Sequence, residues 1–377
     1  MKPKNITLGV FLASHDGLKS WRDYGLLDRE IEIYKRLSLS LKEVNLVSYG
    51  GREDFKIISS VKPVKVLTSR WLPSSVLTVF YLLMKNYPSL KKIDVVKTNQ
   101  IAGAEIAIRL KRLLGKKLIV RAGYLPSRFL KKETVNSSET AYASLLERQA
   151  FSVADIGVVT TQRDRQYLIR RYGLDPDKIR VIPNYVLTDA FKPNPPAKKK
   201  YDLIFVGRSG KQKNLHRLLK AILLLKKDGK NISLLLIGRC CQDRLLRNFV
   251  QVHDLMVTFQ GSVPHLKLPG FLNQARIFIL PSLWEGHPKA LLEAMSCGLP
   301  CIGNKTSSVS QEIRHLQTGY LTKASPKKLA CAINYFLNKP KLRLMVGQNA
   351  RDHILKNYSI ERILKLELDI IREVIEK

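Results

Sequence analysis

Short apolar runs alternate with longer stretches of helical period, and the alternation occurs twice along the chain. In the first half, residues 6–13, 44–49, 94–98, 117–122 and 155–161 are short and apolar, while residues 26–41, 103–114 and 141–151 place apolar residues at helical spacing. A strand that reads as a near-continuous apolar run is buried on both faces, which happens where helices cover both sides of a parallel sheet. Strands alternating with helices therefore predict an α/β domain built on such a sheet. Residues 191–200, rich in Pro and Lys, break the pattern and read as a linker that stays out of any core. The pattern then restarts. Residues 201–206, 233–237, 257–260, 276–280 and 300–303 read as strands, and residues 214–228 as a helix with Asn214 as its N-cap. Residues 288–297 read as a second helix, stopped by Gly298, and residues 354–376 as one long amphipathic helix.

A length of 377 residues suits two domains rather than one core. The expected division is residues 1–185, a linker over 186–200, a second domain over 201–353 and a final helix over 354–377. Charge is the unusual part of the composition. Lys and Arg number 65 against 31 Asp and Glu, a formal net charge of +34. Such a field attracts phosphates, nucleic acid or anionic lipid, but it does not specify a fold. The five cysteines show neither a pairing pattern nor metal-ligand spacing, and they read as reduced, mostly buried thiols of a cytoplasmic protein. Residues 1–10 read as a charged lead into a strand rather than a signal peptide. The longest apolar run, residues 76–84, is too short to cross a bilayer.

In open parallel sheets, ligands bind beyond the carboxyl ends of the strands. Two clusters occupy such positions. Gly207 and Arg208 follow one strand, with Lys213 and Asn214 before the next helix. A glycine lets a ligand approach the backbone, Arg208 offers a planar fork to phosphate oxygens, and Lys213 adds a compact charge. Together they would neutralise a diphosphate, although two solvated charges in a basic protein is the plainer reading. The second cluster runs from Leu280 to Met295. Here Pro288 opens a helix, and the amides of Lys289, Ala290 and Leu291 are expected to form an anion site. Glu285 precedes that helix and Glu293 lies about one turn inside it. Packing alone would make them a cap and a satisfied helix carboxylate. An acidic residue beside an anion site instead points to a ligand that carries hydroxyl groups.

Glu285 and Glu293, followed by Ala294-Met295 and then Gly298 and Pro300, resemble the signature of family 4 retaining glycosyltransferases. Gly207-Arg208 with Lys213-Asn214 resembles the donor-phosphate loop of that family, and Ile182-Pro183-Asn184 its interdomain segment. The resemblance covers residues 181–320. It implies the GT-B fold, in which two Rossmann-like domains face each other, and a final helix that crosses back to the first domain. It implies a nucleotide-diphosphate sugar as co-substrate, with no cofactor and no metal. Glu285 would meet the donor sugar and Glu293 the ribose. Arg208 and Lys213 would hold the diphosphate, and Gly207 and Asn184 would border the donor. Gly286, His287, Pro288, Lys289, Ala290 and Leu291 would line sugar and phosphate, and Ser262 and Val263 would lie near the base. The sequence departs from the family in two places. Ser307-Ser308 stands where paired glycines are usual, and residues 120–124 lack a histidine that many members carry.

The first domain carries weaker signals. The family has a glycine-rich loop after the first strand, where Gly25 would provide close approach, helped by Lys19 or Arg22. His15 and Asp16 lie in this loop and suggest an acid–base pair, but a lone loop histidine is more simply a solvated one. Lys97-Thr98-Asn99-Gln100 would touch acceptor. Basic residues beside Trp71, Leu72 and the apolar run 76–84 suit an anionic membrane surface, so a lipid-linked or cell-surface glycan acceptor and a peripheral location on the inner face of the membrane are expected. Two other readings compete: a nucleotide-sugar epimerase on the same fold, and a basic nucleic-acid-binding module. The second would explain the charge, but the chain shows no helix-turn-helix spacing, zinc ligands or aromatic–basic signature, so no nucleic-acid partner is expected.

Overall fold

The computed structural model describes residues 3–13, 17–133, 137–194 and 199–376. The chain divides into two compact units, Met1–Asn184 with Glu361–Lys377, and Tyr185–Ile360. Each is built on one sheet whose neighbouring strands are all parallel. The first sheet contains β1 (Thr7–Phe11), β2 (Glu43–Ser48), β3 (Lys65–Thr68), β4 (Val95–Thr98), β5 (Lys117–Ala122), β6 (Ile156–Val159) and β7 (Ile179–Val181), in the order β3-β2-β1-β4-β5-β6-β7. The second contains β8 (Tyr201–Val206), β9 (Leu234–Ile237), β10 (Val257–Gly261), β11 (Ala275–Leu280), β12 (Cys301–Asn304) and β13 (Tyr320–Thr322), in the order β10-β9-β8-β11-β12-β13. This is the expected α/β architecture of two Rossmann-like halves. Strands β3, β7 and β13 were not foreseen, being short and flanked by polar residues. The apolar run 76–84 belongs to the helix Ser75–Lys91.

Buried strand sequences account for the sheets. β9 is Leu-Leu-Leu-Ile, all of it buried, and β1 is buried along its whole length. Each large apolar side chain removed from water contributes about 1.5–3 kcal/mol. In the second unit Phe205, Phe278, Phe336 and Met295 close the core between sheet and helices.

Strand order reverses between β1 and β4 in the first sheet and between β8 and β11 in the second. Such a switch point leaves the loops after the two neighbouring strands side by side and open to a ligand. In the second unit these loops are residues 207–214, after β8, and residues 281–288, after β11, which carry both sequence clusters.

Two expectations need correction. The proline-rich stretch is not a free linker. Phe191 is fully buried, and its carbonyl accepts hydrogen bonds from Ser296 Oγ (2.6 Å) and Arg351 Nη1 (3.1 Å). The Asn194 amide donates to Asn273 Oδ1 (2.9 Å), so an aromatic anchor and paired amides outweigh the polar composition. Residues 195–198 lie outside the described residues. The final helix is also not continuous from 354. A helix Pro340–Tyr358 ends at Ser359, whose φ of −60° and ψ of 147° are not helical, and a second helix runs Ile360–Glu376. The turn is fixed by the Val186 amide, which donates to the Tyr358 carbonyl (2.8 Å).

The terminal helix belongs to the first unit through an apolar stripe interrupted by one charge. Ile363, Ile370, Ile371 and Val374 are buried at helical spacing, and Glu367, 4% exposed, lies among them. Glu367 pairs with Lys97 of β4, which is 1% exposed. Lys97 is therefore withdrawn into the core and is not an acceptor contact. Burial pushes its ammonium pKa down, and the Glu367 carboxylate opposes that shift. Arg180 Nη2 to Glu373 (2.6 Å) and Arg36 Nη1 to Glu361 (2.5 Å) add pairs at the rim.

Removing one partner of a buried pair strands the other charge, which costs about 3–5 kcal/mol, whereas replacing both by apolar residues is often neutral. Glu367→Gln is expected to destabilise the chain by that amount in urea unfolding followed through Trp21 and Trp71, and Lys97→Met with Glu367→Leu is expected to recover most of the loss. Equal stability of Glu367→Gln and wild type would contradict the pairing.

Candidate active site

The loop after β8 is bound to the loop after β11 by a set of polar contacts. Gln212 is buried; its Nε2 donates to the Trp284 carbonyl (2.9 Å), and its own carbonyl accepts from the Leu283 amide (2.8 Å). The Asn214 side chain donates to the Pro281 carbonyl (3.1 Å). Asn214 occupies the N-cap position of the helix Leu215–Lys227 as expected, but at φ 57° it makes no side-chain cap bond, its amide group being spent on the neighbouring loop. Between these anchors Lys213 Nζ lies 2.6 Å from Glu285 Oε1, with side chains 16% and 7% exposed. Arg208 is exposed, and its Nη2 donates to Gln212 Oε1 (3.0 Å).

A third loop locks the carboxylate segment. Ser308, 7% exposed, donates from Oγ to the Glu285 carbonyl (2.6 Å). The serine found in place of a glycine therefore holds the backbone of the candidate catalytic residue, a contact that glycine cannot make. Asn304, at the end of β12, donates to the Ser282 carbonyl (2.9 Å).

The helix after Glu285 runs Lys289–Ser296 with Pro288 as its N-cap, one residue later than expected. The Leu291 amide is not available to an anion, because it donates to the Pro288 carbonyl (3.0 Å), and the Leu291 side chain is fully buried. Lys289 and Ala290 are half-buried. Glu293 is 3% exposed, and its Oε1 lies 2.8 Å from His265 Nε2. The His265 ring packs on Phe191 with centroids 4.7 Å apart. The carboxylate expected at the ribose is thus turned onto a buried histidine that the sequence gave no reason to single out.

His287, two residues after Glu285, also turns inward. Its Nε2 lies 3.2 Å from Glu312 Oε1, both side chains being 3% exposed or less. His353 Nε2 lies 3.9 Å from Glu312 Oε2, near enough for a charge interaction but too far for a hydrogen bond. The Tyr358 ring packs against both imidazoles, at 5.3 and 5.5 Å. Burial would raise the Glu312 pKa, but the two histidines, and His287 above all, outweigh it and hold the carboxyl at about 2. Burial and the Glu312 charge push the Tyr358 phenol up.

The remaining expected residues are dispersed. Gly207 follows β8, where a Cβ would lie 3.1 Å from the Phe205 ring and 3.9 Å from the Lys213 side chain. Gly286 is half-buried, Ser262 is exposed just past β10, and Val263 packs on the core. Asn184 belongs to the first unit, 5% exposed, and its Oδ1 accepts from Arg121 Nη2 (3.2 Å). Gly25, also in the first unit, has φ 68°, and its amide donates to the Arg22 carbonyl (2.8 Å), so its glycine character serves to end the helix Leu18–Asp23. The close backbone approach in that loop belongs to Gly17, where a Cβ would fall 2.7 Å from Gly50. His15 and Asp16 lie outside the described residues. All five cysteines are free, with only Cys331 exposed.

Glu312 gives a pH test of the loop anchorage. Its folded pKa of about 2 lies below the usual 4.5, so its stabilisation is complete above about pH 4.5 and is lost as pH falls through about 2. Glu312→Gln is expected to lower stability at neutral pH by roughly 1–3 kcal/mol. In thermal melts from about pH 7 to about pH 3, the gap to wild type should narrow below pH 4.5. A constant gap would contradict the carboxylate–imidazole pairing.

Comparisons with known proteins bear on the family and the fold. Residues 188–353 match the family described as Glycosyl transferases group 1, and residues 41–190 match Glycosyltransferase Family 4. The GPI3 subunit of phosphatidylinositol N-acetylglucosaminyltransferase from Saccharomyces cerevisiae is 25% identical over 220 residues, covering 56% of this chain and 49% of the yeast protein. The chain thus spans about half the length of that relative. A UDP-Gal:alpha-D-GlcNAc-diphosphoundecaprenol alpha-1,3-galactosyltransferase of Escherichia coli is 25% identical over 350 residues, covering 83% of this chain and 81% of the relative. Among solved structures, sucrose-phosphate synthase of Thermosynechococcus elongatus superposes with a TM-score of 0.81 at 18% identity, over 98% of this chain and 99% of that one. HepE of Anabaena, solved with UDP and glucose, gives 0.77 at 16% identity, over 97% and 99%. At such identities the structural likeness concerns the fold. With two adjoining family matches spanning residues 41–353 on this fold, the chain belongs to glycosyltransferase family 4 and has the GT-B fold.

Proposed function

We propose that the chain is a metal-independent glycosyltransferase that moves a sugar from a nucleotide-diphosphate sugar, with retention of configuration, to a lipid-linked or cell-surface glycan acceptor. The observation that carries this reading is the Lys213–Glu285 pair, where a cation and a carboxylate from two switch-point loops meet at 2.6 Å. On this reading the donor separates the pair. Its diphosphate takes Lys213 together with the exposed Arg208, and its sugar hydroxyls take Glu285. Two fixed cations then stabilise the negative charge that develops on the departing diphosphate, the work a metal performs elsewhere. No carboxylate nucleophile is needed if the acceptor attacks from the face of the leaving group and the departing phosphate takes its proton. His265 engages Oε1 of Glu293, and a carboxylate has a second oxygen and further lone pairs with which to accept ribose hydroxyls. The printed names of the relatives, a phosphatidylinositol glycosyltransferase subunit and a galactosyltransferase whose acceptor is linked to diphosphoundecaprenol, support a lipid-linked acceptor. Such an acceptor suits a peripheral enzyme on the cytoplasmic face. No described helix is long and apolar enough to cross a membrane.

The test is transfer or donor hydrolysis with a panel of nucleotide sugars. Glu285→Ala and Lys213→Ala are each expected to lower kcat/KM on the order of 100-fold, equivalent to about 2.7 kcal/mol of transition-state stabilisation. Activity is expected to survive a chelator, and proton NMR of the product to show the donor's anomeric configuration. Near wild-type turnover in either variant would remove that residue from the mechanism. Loss of activity in chelator would overturn the metal-free reading, and an inverted product the retaining one.

A further inference from the structure

The helix Ser75–Lys91 of the first unit presents a row of large apolar side chains to solvent. Val76, Phe80, Met84 and Tyr87 are 55%, 62%, 70% and 47% exposed, at spacings that align them along one edge of the helix. Val79 and Leu82 occupy the opposite edge and are buried, so the helix is apolar on both sides, and only one side is used by the core. Isolated exposed apolar residues are ordinary, but a continuous row on one helix is not. The neighbouring helix, Ala104–Leu114, is tied alongside by Arg109 Nε, which donates to Ser75 Oγ (3.1 Å), and it adds Leu113, 62% exposed.

Cations border this row. Lys85, Lys91 and Lys92 are exposed on the first helix and at its end, and Arg109 and Arg112 are exposed on the second. From Arg70 to Lys117 the chain has ten basic and two acidic residues. We infer that this face docks the enzyme onto an anionic lipid bilayer, with the helix Ser75–Lys91 lying flat at the headgroup boundary, its apolar row toward the acyl chains and its cations among the lipid phosphates. Charge selects this occupant over two others. A second copy related by a two-fold axis would bring the same cationic patch against itself. A nucleic acid would satisfy the cations but would leave Phe80 and Met84 uncovered. The inference deepens the proposed function, since it rests on the acceptor being membrane-borne, and it names the surface that would bring the enzyme to it.

The experiment is cosedimentation of the full chain with vesicles of phosphatidylcholine alone or mixed with phosphatidylglycerol. Binding to the anionic vesicles is expected to be at least about tenfold tighter. Two independent variants, Phe80→Ser with Met84→Ser and Lys91→Glu with Lys92→Glu, are each expected to weaken it by about tenfold or more. Because the changed side chains are exposed, both variants should keep the wild-type melting temperature and the same stabilisation by whichever of UDP, GDP, ADP and dTDP stabilises the wild type most, which reports the nucleotide site separately. Equal binding to both vesicle types, or unchanged binding by either variant, would overturn the docking face. So would a dimer in vesicle-free buffer that Phe80→Ser with Met84→Ser converts to monomer, since a second copy would then own the surface. Absence of stabilisation of the wild type by every member of a panel of UDP, GDP, ADP and dTDP would instead count against the glycosyltransferase reading.

Discussion

Lys213 and Glu285 are 72 residues apart in the chain and 2.6 Å apart in space, because β8 and β11 are neighbours in a parallel sheet whose order reverses between them. Parallel strands deliver their following loops to the same edge of the sheet, and the reversal leaves the loops after β8 and β11 with no helix between them. The rest of the site is arranged to keep this meeting in place. Gln212 and Asn214 bind the carbonyls of Trp284 and Pro281, and Ser308 binds that of Glu285. Behind them, His287 and Glu312 hold the following residues against the helix Pro340–Tyr358. A half-buried ion pair has little stabilising value by itself, since desolvation opposes the Coulomb attraction. On the proposed reading, each partner is kept in position until a ligand with phosphate and hydroxyl groups offers both a better match.

The parts of the molecule set by burial were legible in the sequence. A short apolar run such as Leu234–Ile237, too brief for a helix and bounded by a glycine, reads as a buried strand, and β5 and β8 occupy the residues expected of them. Gly207-Arg208, Lys213 and Glu285 were found because chemistry-bearing residues after a strand are conspicuous against an apolar background. What sequence reading missed shares a physical cause: pairing between distant side chains has no local pattern. Nothing near Glu293 announces His265, and nothing near His287 announces Glu312 or His353. Lys97 is expected at the acceptor from its place near a strand end because its partner, Glu367, lies 270 residues away. Phe191 was hidden by the prolines and lysines around it, although one buried aromatic ring was enough to bind that stretch to the second unit. Gly25 and Gly17 show a related limit: they flank one short helix, and nothing in the local sequence says which one ends it with a positive φ and which one lies against another backbone.

The charge of the chain divides by role. In the second unit Arg208 and Lys213 stand beside a carboxylate and suit a small phosphorylated ligand. In the first unit Lys97, Arg180 and Arg36 are absorbed in holding the terminal helix. The cations of the helices Ser75–Lys91 and Ala104–Leu114 do neither. They surround exposed apolar side chains, and this combination is the basis for the proposed docking to lipid.

On the proposed reading, the Lys213–Glu285 pair is the donor site held shut by its own charges. A crystal structure with a bound nucleoside diphosphate tests it most directly. The account predicts phosphate oxygens within hydrogen-bond distance of Lys213 Nζ and of the Arg208 guanidinium, with Glu285 released from its 2.6 Å contact. A nucleotide bound elsewhere, with that contact intact and neither cation touching phosphate, would contradict it.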